Sequence, residues 1–595
     1  MSKPRPSRVT RREFLIGATL AGAALACGPG QVATHVVPTF APTPTSKPLI
    51  APASPATPTT APTVSPTSST DMVLLNGQVI TVDAADTIAQ AVAIKDGLIQ
   101  TVGTTEKIKT LVGDKTKVVD LKGKAVTPGL IDPHNHLQVV GLIENSYVSF
   151  MPPDIKTLQD LKTKLAEALA PKPKGEWLQG YFLTVNEGRL PNRQDLDPVS
   201  PNHPVWIVQQ GGHYGSANSL ALKMAGITAN TRDPVGGVIE RDAKGEPTGV
   251  FYNHRAMDLL RLHIPQQTAD MARKNITSSL PLFAAWGVTS FHDNNVRGVD
   301  NVRTYLEIGK QGQMILRSAI YYTLEWPQDL DRALKEIEHY DDKKSIRLAG
   351  YKFLLDGQAQ MAYCHQPHKG VRWDMSTWDP KNFKQTVRAL HDSGLQICVH
   401  CIGDAAVDLS LDAYAEAMKA NPRSDPRHRI EHAVLTTPEA TRRMKELGVV
   451  ASVNPTFIRL AADYWATVFG PERMRRAIVT REWLKAGVHV TIGSDAPTTP
   501  WYNPQATLAA AVARLTASNN VLEPDQRMTI QEALRAHTLE AAYAAHEEKI
   551  KGSIEVGKLA DLAVWNQDPY TASVQQLWNA TIAMTMVGGK IIHQA

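Results

Sequence analysis

The stretch Val126-Thr127-Pro128-Gly129-Leu130-Ile131-Asp132-Pro133-His134-Asn135-His136 is an apolar run that ends in two histidines separated by one residue. Such a run predicts a buried β-strand. Because side chains on a strand alternate between its two faces, His134 and His136 project to the same side at its carboxyl end. Neutral imidazoles are ligands for zinc, iron and nickel, and strand carboxyl ends carry the active sites of (β/α)8 barrels. A lone His-x-His pair also occurs without a metal, so its role depends on the rest of the chain.

The region from residue 287 to residue 495 alternates between runs typical of strands and runs typical of helices. This alternation predicts a parallel sheet with helical connections. The predicted strands are Gly287–Asp293, Leu316–Tyr322, Ile346–Leu355, Gln396–His400, His428–His432, Val449–Val453 and His489–Asp495. The predicted helices are residues 330–340, 381–392, 405–420, 437–446 and 472–486. Together with the first strand there are eight strands, which predicts an α/β fold closed into a (β/α)8 TIM barrel.

At 595 residues the chain is too long for one ordinary core. Residues 140–265 interrupt the alternation after the first strand, and we interpret them as a large insertion that shapes specificity. Strand-like runs also occupy residues 71–125 and 549–595, where Asn76-Gly77 and Asp96-Gly97 are typical of hairpin turns. We therefore predict a small β-sandwich domain built from both chain ends, around a barrel domain at residues 126–548.

The charge and cysteine content exclude two classes of protein. The net charge is +5, but six basic residues and one acidic residue precede residue 71 and account for all of it. The remainder is neutral overall, so no nucleic-acid partner is expected. Of the four cysteines, Cys27 lies near the amino terminus. The other three, Cys364, Cys398 and Cys401, are an odd set that does not predict a disulfide framework.

Residues 1–27 contain Arg11-Arg12-Glu13-Phe14-Leu15, followed by an apolar segment that is too short to span a membrane. This pattern resembles a twin-arginine export signal. Leu25-Ala26-Cys27-Gly28 resembles a lipoprotein processing site, so the expectation is either acylation of Cys27 or ordinary cleavage. Residues 28–70 are mainly Pro, Thr, Ser and Ala, which predicts an extended spacer. The expected location is the cell envelope, with membrane attachment through a lipidated Cys27, or the extracellular space.

Metal-capable residues lie on several of the predicted strands. Lys352 lies on the fourth strand, His400 ends the fifth, His432 ends the sixth and Asp495 ends the eighth. The carboxyl ends of parallel strands meet at one end of a barrel, so these side chains are expected to converge with the histidine pair of the first strand. One histidine at a strand end means little, whereas this ordered set on five strands is specific.

The motifs around these residues resemble the amidohydrolase superfamily, and within it the large-insertion branch of N-substituted amide and formamide hydrolases known as amidohydrolase family 3. The resemblance covers nearly the whole chain from residue 71 onward. It is carried by residues 128–136, 399–406, 429–432 and 493–497, by Asp233–Gly249 and by Gly552–Leu562.

The resemblance implies a hydrolase of non-peptide carbon–nitrogen bonds that holds one or two divalent metal ions, with zinc favoured. His134, His136 and Asp495 would hold one ion, and His400 and His432 a second. Lys352, carboxylated by carbon dioxide to a carbamate, would bridge the two ions, because a carbamate offers anionic oxygens and an ammonium does not. Asp495 would accept a proton from a metal-activated water and deliver it to the leaving nitrogen. Some members of this branch work with one metal, in which case Lys352 stays an ordinary lysine.

Three further residues are candidate substrate contacts: His213 in the insertion, His292 at the end of the second strand, and Asp356 after the fourth. Each has a structural alternative, namely a loop histidine, a hydrogen-bonded pair with Asp293, and a turn. Cys398 and its neighbours are expected to be buried and inert. The expected partners are a small amide substrate and, in a homodimer, a second copy of the chain.

Two alternatives to amide hydrolysis stay open. The same metal centre could hydrolyse an ester or a cyclic amide. In a different class, the protein could be a surface lipoprotein that binds a ligand without catalysis. The complete ligand set argues against this last alternative, because a binding protein does not need Asp495 beside four histidines and a lysine.

Overall fold

The computed structural model describes residues 70–151, 155–182, 189–367 and 375–595. The predicted export signal, Cys27 and the spacer up to residue 69 lie outside the described residues, so export and acylation stay predictions. None of the described helices is both long and apolar enough to cross a membrane. The α-helices are Thr105–Lys109, Leu137–Asn145, Leu158–Leu169, Arg193–Leu196, Ser219–Met224, Asn253–Arg261, Ala269–Ala285, Val299–Lys310, Asp329–Lys335, Pro380–Asp392, Asp404–Ala420, Pro438–Glu446, Thr456–Met474, Thr480–Ala486, Pro504–Ala513, Ile530–Ala536, Leu539–Ala544 and Val574–Trp578.

Eight strands form one sheet in the order in which they occur along the chain, and this sheet is nearly closed into a barrel. Each strand pairs in parallel with the next. The strands are Leu130–Asn135, Val288–Val296, Arg317–Leu324, Ile346–Leu354, Gln396–Cys401, Arg429–His432, Val450–Val453 and Val490–Ile492. All residues of the fifth strand are buried, as expected for a strand covered on both faces. The predicted (β/α)8 fold is confirmed.

Hydrogen bonds join the first barrel strand to the residues that follow the eighth barrel strand. Oδ1 of Asp132 accepts the backbone N–H of Ser494 at 3.0 Å, and Oδ2 accepts its hydroxyl at 2.5 Å. The backbone N–H of Asp495 donates to the carbonyl of His134 at 2.8 Å. These bonds hold His134 and Asp495 next to each other, although these two predicted metal ligands are far apart in the sequence.

The stretch that identifies the barrel belongs to two different sheets. Ala125–Pro128 pairs with the carboxyl-terminal strand Leu562–Trp565, whereas the first barrel strand starts after Gly129. A Cβ atom at Gly129 would lie 2.2 Å from the side chain of Thr289, so this crossing between sheets requires glycine. The predicted domain boundary between residues 125 and 126 falls inside the strand Ala125–Pro128.

The two flanks of the barrel form a pair of sheets outside it. The four-stranded sheet contains Leu98–Gly103, Ala91–Lys95, Met72–Leu75 and Lys117–Asp120. The six-stranded sheet contains Lys590–Gln594, Ile582–Val587, Leu562–Trp565, Ala125–Pro128, Gln78–Ile80 and Ile88–Ala89. One hydrophobic cluster takes buried side chains from both sheets, among them Leu74, Val126 and Met586. Both chain ends thus contribute strands to one core.

Only one of the two predicted hairpin turns in the amino-terminal flank is a hairpin. At Asp96-Gly97 the flanking residues Lys95 and Leu98 pair in an antiparallel ladder. At Asn76-Gly77 the preceding strand belongs to the four-stranded sheet and the following strand to the six-stranded sheet. Asn76 adopts a left-handed φ of 56°, which suits a sharp change of direction as well as a hairpin. Long-range pairing, rather than turn chemistry, decides between the two outcomes.

The predicted insertion contains a mixed six-stranded sheet of its own. Its strands are Val148–Phe150, Leu178–Phe182, Val205–Gln209, Tyr214–Ala217, Val238–Arg241 and Pro247–Tyr252. The hydroxyl of Tyr181 donates to the carbonyl of Pro497 at 3.0 Å and accepts the backbone N–H of Gly211 at 3.3 Å. The bond to Pro497 joins the insertion to the loop after the eighth barrel strand, two residues beyond Asp495, and the bond from Gly211 holds the Tyr181 hydroxyl within the insertion.

The predicted helix over residues 472–486 is wrong. One helix, Thr456–Met474, runs past this starting point, and a second helix, Thr480–Ala486, begins after a break. Gly470 has a φ of 78° and precedes Pro471, so the first helix contains a kink there. In a sequence, a Gly-Pro pair is typical of a helix boundary, because proline lacks the backbone N–H that a helix interior requires. This pair accounts for the predicted helix start at residue 472.

Candidate metal centre

The carboxyl ends of the barrel strands bring the predicted histidine and aspartate ligands together. The ring centroid of His134 lies 5.4 Å from that of His136 and 4.7 Å from that of His432. The ring of His400 lies 4.5 Å from that of His432. Oδ1 of Asp495 lies 2.9 Å from Nε2 of His136 and 3.4 Å from Nε2 of His134. Four different strand ends therefore supply one cluster.

The most compact set within this cluster differs from the predicted division into two ligand groups. Ligand atoms of His134, His432 and Asp495 all lie within 4.8 Å of one another, and the three residues are buried. The prediction had assigned His432 to a separate group with His400. The ring of His432 also lies 4.5 Å from that of His400, so the division into two ligand groups stays a prediction.

Hydrogen bonds to the far side of two rings set their orientation. Nδ1 of His134 contacts Oε2 of Glu431, and Nδ1 of His432 lies 2.7 Å from Oδ1 of Asn454. Each contact leaves Nε2 as the ring nitrogen available to a cation, an arrangement common among metal-binding histidines. Sequence reasoning missed Glu431 and Asn454 as functional residues. The available signal for Glu431 was its place in the Arg429-Ile430-Glu431-His432 motif.

Glu431 is held in a fully buried ion pair with Arg429. The Nε atom of Arg429 lies 2.7 Å from Oε1 of Glu431, and both side chains have no exposed surface. Nη2 of Arg429 also donates to the carbonyl of Pro133 at 2.7 Å and to the hydroxyl of Ser452 at 2.9 Å. Burial alone would raise the pKa of Glu431, but Arg429 and His134 hold that pKa well below its usual range. The carboxylate that orients His134 is therefore ionised.

The protonation states of the cluster match those of metal ligands. Burial lowers the pKa of His432 to about 4 and that of His213 to about 3, and it holds the pKa of His134 and of His400 well below the usual range. These imidazoles are neutral at neutral pH, which is the form that binds a cation. Burial would raise the pKa of Asp495, but the hydrogen bond to His136 and the neighbouring histidines lower it. Neutral nitrogens around one carboxylate fit a divalent ion.

Lys352 lies on the floor of the same cluster. Its side chain is buried, and Nζ lies 3.4 Å from Nε2 of His134. Burial lowers the pKa of the Lys352 ammonium. Lys352 therefore lies beside one of the predicted metal ligands.

The three predicted substrate contacts have different positions. His213 lines the cavity above the cluster, with its ring 4.8 Å from that of His400. His292 is buried outside this lining, and its Nδ1 lies 3.2 Å from Nη1 of Arg429. Its neighbour Asp293 accepts the hydroxyl of Tyr305 at 2.6 Å instead of forming the predicted pair with His292. His292 is therefore not among the residues that line the cavity, in contrast to the prediction that it contacts the substrate.

Asp356 is also absent from the cavity lining. Its carboxylate accepts the backbone N–H groups of Ile402 at 3.0 Å, Gly403 at 2.8 Å and Tyr363 at 3.1 Å. Through these bonds Asp356 holds the loop that follows His400. This position differs from the prediction that Asp356 contacts the substrate. Among the described residues, Cys364, Cys398 and Cys401 are buried and free, as expected.

A cavity of about 860 Å³ opens directly above the cluster. Its floor includes His136, Lys352 and Asp495 from the barrel. Its walls include Trp206 and His213 from the insertion. The insertion and the barrel together therefore enclose the space in which a substrate would meet the metal ligands.

Comparison with known protein families agrees with this geometry. A model of the amidohydrolase family matches residues 117–593. The chain belongs to the amidohydrolase family. This amidohydrolase is a hydrolase of carbon–nitrogen bonds other than peptide bonds, which confirms the predicted enzyme class.

Individual relatives cover almost the same region. The amidohydrolase is 31% identical over 554 residues to the N-substituted formamide deformylase of Arthrobacter pascens, spanning 89% of this chain and 99% of that one. It is 30% identical over 541 residues to the protein LONG AFTER FAR-RED 3 of Arabidopsis thaliana, spanning 88% and 91%. An uncharacterized metal-dependent hydrolase from Pyrococcus horikoshii OT3 shares the fold, with a TM-score of 0.68 at 24% identity over 85% of this chain and 99% of that one.

Proposed function

We propose that this amidohydrolase hydrolyses N-substituted formamides or closely related non-peptide amides. The observation that carries the proposal is the position of Asp495, whose Oδ1 lies 2.9 Å from Nε2 of His136 and 3.4 Å from Nε2 of His134 on the cavity floor. The similarity to a formamide deformylase supports the substrate class.

The metal would be held by His134, His136, His432 and Asp495, and His400 with Lys352 could complete a second position. A bound divalent ion polarises a carbonyl oxygen and makes a water molecule more acidic. We propose zinc, because it is the ion most often held by a set of imidazoles with one carboxylate. The fit rests on the Nε2 atoms that Glu431 and Asn454 leave free on His134 and His432.

Asp495 moves the proton in this mechanism. Its carboxylate is ionised and buried at the base of the cavity, so it can accept a proton from the attacking water. The same oxygen can then deliver that proton to the leaving nitrogen, because an amine leaves readily only when it is protonated. His213, whose ring lies 4.8 Å from that of His400 in the cavity lining, would contact the substrate acyl group from the insertion side.

The direct test is formate release from simple N-alkylformamides by the zinc-loaded protein. We expect zinc-dependent release that stops after treatment with a chelator and returns when zinc is added. Hydrolysis of matched alkyl esters without hydrolysis of the formamides would favour the ester alternative. Turnover of neither substrate class by metal-loaded protein would overturn the proposal.

We further propose that Lys352 carries a carbamate that bridges two ions. We expect two metal ions per chain by elemental mass spectrometry and, in bicarbonate, an intact mass increased by one carbon dioxide. Lys352→Ala should lose the adduct and one of the two ions. Lys384→Ala is the matched control, because Lys384 pairs with Glu416 on the surface and should keep both. A single ion in the wild-type protein, with no adduct, would leave Lys352 an ordinary lysine.

A further inference from the structure

The cavity lining contains arginine side chains as well as the metal cluster. Arg189, Arg261 and Arg297 line the cavity. Among the described residues of this lining, Asp495 is the only carboxylate, and it belongs to the metal cluster. The wall that carries these guanidinium groups therefore has no acidic side chain of its own among the described lining residues.

Two structural elements build this wall. Arg261 is the last residue of the insertion helix Asn253–Arg261, and His254 lies seven residues earlier on the same face, since seven residues make about two helical turns. Arg297 follows the second barrel strand, Val288–Val296. The insertion thus contributes Arg189 and Arg261 to the cavity lining, and the barrel contributes Arg297.

The carboxylates behind the wall leave part of each of these two guanidinium groups unused. Oδ1 of Asp258 lies 3.3 Å from Nη1 of Arg261, and Oε1 of Glu325 lies 2.7 Å from Nη1 of Arg297. Among the hydrogen bonds and ion pairs of the described residues, those of Arg261 involve Nη1 and those of Arg297 involve Nη1 and Nε, with Nε donating to Oδ1 of Asn295 at 3.1 Å. None of them involves Nη2 of either arginine. The two side chains are 26% and 27% exposed, so a ligand in the cavity can reach them.

Arg189 differs from the other two arginines. Asp195 binds it through both terminal nitrogens, at 2.6 Å and 2.9 Å, so the carboxylate already matches the guanidinium fork. Arg189 is also 48% exposed at the rim. It therefore lies beside the cavity without offering the same unused donors.

Buried polar atoms in the lining independently indicate a polar ligand. Gln210 is only 2% exposed. Neither Nε2 nor Oε1 of its side chain has a hydrogen-bond partner among the described residues. His254 is 1% exposed, and its Nδ1 likewise has no hydrogen-bond partner among the described residues. Buried polar groups in proteins are nearly always hydrogen-bonded, so such atoms in a cavity wall are expected to bind a ligand or water.

We infer that Arg261 and Arg297 bind a carboxylate of the substrate at the end remote from the scissile amide. The inference rests on the proposed function and narrows its substrate class to formamides or related amides that carry a distal carboxylate. A carboxylate offers two planar oxygens, which match the paired donors of a guanidinium. The insertion would then select substrates through Arg261, while the barrel carries out the hydrolysis.

The test compares ω-formamidoalkanoates of increasing chain length with the matching ω-formamidoalkanamides, in which a neutral amide replaces the carboxylate. At the best chain length we expect the zinc-loaded wild-type enzyme to favour the carboxylate by roughly tenfold to a hundredfold in kcat/KM, the range for a hydrogen bond to a charged group. The preference should weaken at high salt. Arg261→Gln and Arg297→Gln should each reduce this preference, measured as the ratio of kcat/KM for the two series in one preparation. Arg189→Gln should keep the preference.

The outcomes separate this inference from the proposed function. Hydrolysis of both series with equal kcat/KM would overturn the carboxylate site and leave formamide hydrolysis intact. Hydrolysis of neither series would overturn the proposed function itself. A preference in the wild-type enzyme that both Arg261→Gln and Arg297→Gln retain would show that these arginines do not bind the carboxylate. The wild-type comparison remains decisive if a variant does not fold.

Discussion

Asp495→Asn is expected to lower kcat for formamide hydrolysis by about a hundredfold to ten-thousandfold, the usual contribution of a general acid–base. An asparagine side chain cannot accept the proton of the attacking water or return it to the leaving nitrogen. Its oxygen can still contact a cation, so the variant should keep metal with reduced affinity. Formate release and elemental analysis of the same preparations measure the two effects separately.

Asp300→Asn is a suitable control, because the Asp300 side chain is 93% exposed on a barrel helix and should leave both readings unchanged. Full turnover in Asp495→Asn would contradict the acid–base role. If instead the metal-loaded wild-type protein binds amides without turnover, and Asp495→Asn binds them equally well, the binding-lipoprotein alternative is the better account.

Glu431→Gln is expected to destabilise the fold and weaken metal binding together. The substitution leaves the buried charge of Arg429 without its partner, which costs about 3–5 kcal/mol in the free energy of unfolding. It also removes the carboxylate that orients His134, and loss of such a contact lowers metal affinity by about tenfold to a hundredfold. Denaturant unfolding of the metal-free protein measures the first effect, because a bound metal would add its own stabilisation. Metal titration measures the second.

Glu439→Gln serves as the matched control, since Glu439 forms an exposed pair with Arg442 and should change neither quantity. A loss of stability in Glu431→Gln with unchanged metal affinity would make Glu431 a purely structural residue. Unchanged stability would contradict the assignment of a closely coupled ion pair with Arg429.

The positions of the ligands along the chain were predictable because barrel strands obey a local rule. A parallel strand covered on both faces is a short apolar run, and its functional residue lies at or just after its carboxyl end. His134, His400, His432 and Asp495 all follow that rule, and the structure brings them together. The alternation of strands and helices likewise sufficed to predict the barrel.

The directions of the side chains at the strand ends were less predictable. Alternation along the sixth strand would point His432 to the opposite face from Glu431. His432 instead adopts a left-handed φ of 70° and Asp495 a φ of 51°, which departs from strand geometry at both ligands. Backbone conformations of this kind depend on the surrounding packing, so a periodic pattern does not predict them.

By itself, the sequence determined the barrel, the order of its strands and the residue types at their ends, because each follows from a pattern within a few neighbouring positions. Only the tertiary structure decided which residues meet: His134 with Glu431, 297 positions away, Gly129 against Thr289, and Tyr181 of the insertion with Pro497 after the eighth barrel strand. The reason is physical, since such contacts depend on how separate elements pack in space. Local patterns specify an element and its buried face, but they do not specify the partner on that face.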